Sequence, residues 1–156
     1  MAGHLGGETK IIRLYDAQQG YFNYTYNQEW IDLVSAARHV IFPVPMWNFT
    51  IPAALKDFFD KITQRGRVWD FDHDKNYVGL FTDKSAWIIM TSGDYYSAGS
   101  PNDFVIPYLR VVLAFVGIRD VHDFRLGGVR NKNLAADKHY MEDKTREMLK
   151  ALGLKN

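Results

Sequence analysis

A chain of 156 residues with 47% hydrophobic and 24% charged side chains has the make-up of one globular domain. Its 19 Lys and Arg against 18 Asp and Glu leave a formal charge of +1, which excludes a broad electrostatic footprint for nucleic acid or an anionic membrane. With no cysteine, disulfide scaffolds, thiolate metal sites, iron–sulfur clusters and thiol nucleophiles are also excluded.

Aromatic residues reach 15% of the chain, an excess that suits a pocket for a flat ligand or an interface. No apolar run approaches the roughly 18 residues of a membrane span, and residues 1–10 lack a signal-peptide apolar core. A cytoplasmic protein of a single domain, with residues 1–10 as a loose arm, is the expectation.

The first expected strand is Ile11 to Tyr15, followed by an arm with Tyr21, Phe22, Tyr24 and Tyr26 close together. Ile31, Val34 and Ala37 recur at helical spacing and predict a helix over 28–38. Residues 40–44 are almost continuously apolar and end at Pro45, as a buried parallel strand reads. Pro52 then suits a first helical turn, and Leu55, Phe58, Phe59 and Ile62 form one apolar stripe, with Gly66 as the expected stop. Residues 67–81 read as a long irregular stretch.

A second buried strand is expected over 85–91 and a loop over 92–102, after which Asp103 can cap a helix that stops at Gly117. A last strand over 121–126 and an amphipathic helix over 134–152 complete the chain. Strands alternating with helices predict an α/β domain with a parallel sheet, whose ligands bind beyond the C-terminal strand ends. The loops at that edge are 45–51 and 92–102.

The first loop holds Trp47 and Phe49, able to flank a planar ring, and Asn48, able to donate and accept. Asp70, Asp72, His73 and Asp74 could ligate a hard cation, but no regular element fixes their spacing; a solvated loop is the preferred reading and no metal is expected. His122 and Asp123 are adjacent on a strand and so point to opposite faces. Gly127-Gly128 suits a strand-exit turn; Arg125 and Arg130 could hold an anion, but surface solvation is the preferred reading.

The run Pro45-Met46-Trp47-Asn48-Phe49-Thr50-Ile51-Pro52-Ala53-Ala54-Leu55-Lys56 resembles the flavin-contacting segment of FMN-dependent NADH-azoreductases and related flavodoxin-like quinone reductases. The resemblance continues at Phe59-Asp60-Lys61, Thr91-Ser92, Pro107-Tyr108-Leu109-Arg110 and Phe115-Val116-Gly117-Ile118. It implies a flavodoxin-like fold, FMN at the interface of a homodimer, and ping-pong hydride transfer from NADH or NADPH to a quinone or azo compound. Pro45, Met46, Trp47, Asn48, Phe49, Ser92 and Gly93 would line the flavin, with Asn48 at the reacting ring. Trp69, Phe71 and Phe115 fall where the family places aromatics over a small aromatic substrate, some of them from the partner subunit.

Two departures accompany it. The family's first strand, phosphate loop and first helix precede the segment matching Ile11 to Leu14, and residues 1–10 are too few to form them, so the fold is expected to be truncated at its N-terminus. The paired glycines of the family's second loop are replaced by Asp94 and Tyr95. Two alternatives therefore stand beside the reductase. In one, the pocket has lost FMN and Asp94, Tyr95 and Tyr96 perform acid–base chemistry on another small molecule. In the other, a non-enzymatic module takes its missing strand from a partner.

Overall fold

The computed structural model describes residues 8–14, 25–128 and 134–151. In chain order the elements are α1 (Gln28–Ala36), β1 (His39–Pro45), α2 (Ala53–Ile62), β2 (Trp69–Phe71), β3 (Tyr77–Gly79), β4 (Ser85–Thr91), α3 (Val105–Val116), β5 (Asp120–Leu126) and α4 (Leu134–Ala151). β1, β4 and β5 form a parallel sheet in the order β1-β4-β5. β2 and β3 form a separate antiparallel hairpin.

The registers Phe42↔Ile88 and Val44↔Met90 stack apolar side chains on one sheet face. That face packs with Trp30 and Ile31 of α1, Phe58 and Phe59 of α2, and Leu109 and Leu113 of α3 in one core. Phe42 touches Phe58 and Phe59 at ring-centroid distances of 6.4 and 5.6 Å. On the opposite face Trp87 stacks on His122 at 4.1 Å, and Lys144 of α4 lies over Phe124 at 5.8 Å. Ile41 of β1 is 45% exposed.

Two prolines fit in β1 because of which way the backbone points. Arg38 O accepts from Ser85 N, and Met46 N donates to Thr91 O at 2.7 Å. Alternation therefore turns residues 40, 42 and 44 toward β4, and Pro43 and Pro45 remove no bond from that ladder. Helix ends are also closed: Asn27 Oδ1 accepts from Trp30 N to start α1, and the buried Lys84 amine donates to Ser35 O and Ala37 O at its end.

Three expectations are corrected. Ile11 to Leu14 form no strand; Ile12 and Leu14 instead pack by their side chains against the core, which holds this run by apolar contact. Tyr15 and the arm residues Tyr21, Phe22 and Tyr24 lie outside the described residues. The 67–81 stretch is a hairpin: Asp72 accepts from Asn76 N at 2.8 Å and Lys75 takes a φ of 64°, closing the turn between strands of three residues each. α2 ends at Ile62 rather than at Gly66, because Thr63 leaves the helical region at ψ 59° and Gln64 N bonds Ile62 O at 2.7 Å instead of continuing the i→i−4 ladder.

The hairpin docks on α3 by direct backbone contact. A Cβ on Gly79 would lie 2.1 Å from Gly117 N, so both positions require glycine for close approach.

Candidate functional site

The parallel registers place Pro45, Thr91 and Leu126 side by side at the C-terminal edge of the sheet. Ser92 N donates to Leu126 O at 2.9 Å, continuing the alignment into the loops. The segments starting at Met46, Ser92 and Gly127 thus leave adjacent strands at the edge where such sheets bind ligands.

Residues 47–50 close a tight two-residue turn, with Trp47 N to Thr50 O at 2.9 Å and Thr50 N to Trp47 O at 3.1 Å. Both central residues are left-handed, Asn48 at φ 48° and Phe49 at φ 71°. Asparagine tolerates this region; for phenylalanine it costs about 1–2 kcal/mol, and such strain gathers at functional sites. The turn presents Trp47 and Phe49, 53% and 51% exposed, and Phe49 O accepts from Phe104 N at 3.0 Å, tying it to α3. α2 starts directly after, with Pro52 as N-cap and no side chain capping it, so its positive end faces this edge. Phe49→Gly is expected to be about 1 kcal/mol more stable than Phe49→Ala in urea denaturation, since both lose the ring but only glycine relieves the backbone. Equal stabilities would mean that the turn is unstrained.

In the second loop Ser92 is buried and its Oγ donates to Asp94 O at 2.8 Å. The Tyr95 ring lies on Gly127 and Gly128. Tyr96 packs against the core and its carbonyl accepts from Arg125 Nη1 at 3.5 Å. Asp94, Tyr95 and Tyr96 therefore diverge: an exposed carboxylate, a ring over the β5 exit and a ring on the core. Pro45, Met46, Trp47, Asn48 and Phe49 share the first loop, and Ser92 and Gly93 open the next one over the edge of β4.

Arg125 is an internal clamp. Its Nη1 meets Asp103 Oδ2 at 2.5 Å and its Nε meets Asp123 Oδ2 at 3.1 Å, while Asp103 Oδ1 accepts from Val105 N and Ile106 N to cap α3. Asp123 also meets Arg110 at 2.5 Å. This guanidinium is consumed by carboxylates rather than offered to an anion, and Arg130 lies outside the described residues. His122 pairs with Asp120 at 2.9 Å, not with its neighbour Asp123.

Trp69, Phe71 and Phe115 do come together, with Trp69 5.4 Å from each of the other two rings. Tyr77 completes the cluster, 4.9 Å from Phe71 and 5.7 Å from Phe115. It was missed because its hairpin was; the facing aromatics across a turn closed by Asp72 were the signal. The cluster sits at the C-terminal end of α3, whereas Phe49 meets the N-terminal end, roughly 15 Å away along the helix. A stripe of Phe104, Val111 and Phe115, at i, i+7 and i+11, runs between them, with Phe104 57% and Val111 69% exposed.

The acidic residues before this turn have local work. Asp70 accepts from Phe71 N at 2.8 Å and from Arg65 Nε at 3.0 Å, which hold its carboxyl below the ordinary value of 3.8. Asp72 closes the turn, and His73 and Asp74 are exposed. A separate hollow of about 420 Å³ lies around β5 and α4, lined by Trp87, His122, Phe124 and Lys144 among others, away from the strand ends.

Residues 2–152 match the model of the family described as flavodoxin-like fold. Over 103 residues the chain is 34% identical to FMN-dependent NADH:quinone oxidoreductase 2 of Hahella chejuensis, covering 65% of this chain and 51% of that protein. Over 100 residues it is 38% identical to FMN-dependent NADH:quinone oxidoreductase of Beijerinckia indica, covering 63% and 49%. The chain thus spans about half the length of these curated relatives. An FMN-dependent NADH-azoreductase from Bacillus anthracis, solved in complex with FMN, shares the fold at a TM-score of 0.74 and 23% identity, over 81% of this chain and 61% of that one. With the parallel sheet, its C-terminal loop edge and a family match over nearly the whole length, the chain belongs to the flavodoxin-like fold family.

Proposed function

We propose that this chain binds FMN by its ring at the loops after β1 and β4 and acts as an NAD(P)H-dependent reductase of quinones or azo compounds, by a ping-pong route. The observation that carries the reading is the strained Asn48–Phe49 turn, which keeps an aromatic residue where glycine would be easier, at the head of the motif shared with flavin reductases.

The residues present fit a flavin ring. Trp47 and Phe49 supply flat apolar surface and exclude water, and the Asn48 amide can donate to or accept from the ring edge. The uncapped start of α2 favours negative charge beside that edge. The phosphate end is less well served: the starts of α1 and α3 are occupied by Asn27 and by the Asp103 carboxylate. FMN, when bound, supplies the two-electron redox chemistry.

The working form in this reading is a homodimer. The exposed α3 stripe joins the ring site at one end to the Trp69, Phe71, Tyr77 and Phe115 cluster at the other. Antiparallel packing of two such stripes about a two-fold axis would bring the partner's Phe115 cluster over the ring site, where it would cover a small aromatic substrate. A cytoplasmic setting, where nicotinamide cofactor is available, goes with this reading; no described helix is long and apolar enough to cross a membrane.

Titration of the purified protein with FMN and with riboflavin, followed by flavin fluorescence, tests the reading. Both are expected to bind, within about tenfold of each other or roughly 1.4 kcal/mol, because the ring carries the affinity. NADH should then reduce a quinone with ping-pong kinetics. Protein unmoved by either flavin would overturn the proposal.

A further inference from the structure

We propose that Tyr95 is a positioning residue: seated on the Gly127–Gly128 turn, its ring anchors the 92–96 loop against the β5 exit, next to the flavin site. The inference rests on the flavin reading and adds a role that the sequence did not suggest, where Tyr95 stood as the replacement of a family glycine and a candidate acid or base.

The sheet order decides the geometry. β4 lies between β1 and β5, so the loop after β4 has the Met46–Phe49 segment on one side and the Gly127–Gly128 turn on the other. The Tyr95 ring takes the β5 side. A Cβ on Gly128 would lie 2.3 Å from Tyr95 Cζ and 2.5 Å from both Cε2 and Oη; one on Gly127 would lie 3.0 Å from Cδ1. The ring therefore lies along two consecutive residues that have no side chain to exclude it.

The bulk that replaces a family glycine lies on the β5 side together with its own backbone: a Cβ on Gly127 would lie 2.8 Å from both Asp94 O and Tyr95 Cα. Two further bonds hold the loop on either side of Tyr95: Ser92 Oγ to Asp94 O at 2.8 Å, and Arg125 Nη1 to Tyr96 O at 3.5 Å. Tyr95 is itself 69% exposed, so its ring is not part of the core.

Four proteins test this: Tyr95→Phe, Tyr95→Ala, Gly128→Ala and the Tyr95→Ala, Gly128→Ala double variant. Each is measured for amide hydrogen exchange of residues 93–96 without flavin, for FMN affinity and for melting temperature. Tyr95→Ala should speed exchange there and weaken FMN by about tenfold or more, with the melting temperature within about 2 °C, as for an exposed residue. Tyr95→Phe should match the parent in exchange and affinity, since the ring and not the hydroxyl does the holding. Gly128→Ala should evict the ring and reproduce the Tyr95→Ala loop behaviour, while the double variant should lose little more affinity than Tyr95→Ala, because both changes remove one contact. Unchanged exchange in Tyr95→Ala, or a Tyr95→Phe protein as weak as Tyr95→Ala, would overturn the proposal. If the parent protein binds no FMN, the flavin reading fails, and the exchange measurements alone decide whether Tyr95 positions the loop.

Discussion

Replacing Arg125 by Met is expected to lower the unfolding free energy by about 3–5 kcal/mol, the usual cost of removing one partner from a buried ion pair. Asp103 is almost wholly buried, at 2% side-chain exposure, and Arg125 and Asp123 are at 17% and 18%. Without the guanidinium, Asp103 keeps the two backbone N–H groups of Val105 and Ile106, but its second oxygen faces no cation. Asp123 keeps Arg110, whose side chain is 46% exposed and screened by water. Urea denaturation measures the change. Adding Asp103→Asn to Arg125→Met should recover part of the loss, because it removes the buried charge and leaves the helix cap in place. An Arg125→Met protein within about 1 kcal/mol of the parent would show that these carboxylates are better solvated than their burial indicates.

If the chain is the dimeric reductase proposed above, replacing Val111 by Arg is expected to yield a folded monomer whose activity is down roughly 100-fold, the scale of loss when a site's geometry is disturbed. Val111 lies mid-helix in the exposed α3 stripe and is 69% exposed, so the chain itself has little reason to unfold. In the proposed dimer the stripe faces its own two-fold copy, and an arginine there would set like charges against each other. Light scattering reads the assembly, and FMN titration separates loss of the partner's aromatic cover from loss of the ring site. A Val111→Arg protein that remains dimeric would remove α3 as the interface.

The buried strands were legible because the central strand of a parallel sheet is apolar on both faces: 85–91 read as a continuous run, and β4 spans those residues. α3 was equally legible from Asp103 as a cap and Gly117 as a stop, the latter left-handed at φ 104°. The 45–52 motif singled out the loop after β1, but its left-handed Asn48–Phe49 pair was not readable, since neither residue type demands that backbone. The short hairpin strands were missed for want of periodicity: three residues per strand give too little alternation to count.

Local chemistry thus determined where strands and helices run and which loop carries the aromatic and amide groups, because hydrophobic period and capping residues act over one or two turns of chain. Only the tertiary structure decided the rest. Arg125 became a clamp because β5 carries it beside the start of α3, 22 residues away in sequence. Tyr95 found Gly128 because β4 and β5 are parallel neighbours whose ends leave together. The separation of Phe49 from the Phe115 cluster was set by the length of α3. Contacts of that kind depend on which elements the sheet order brings together, and no local pattern in the chain encodes them.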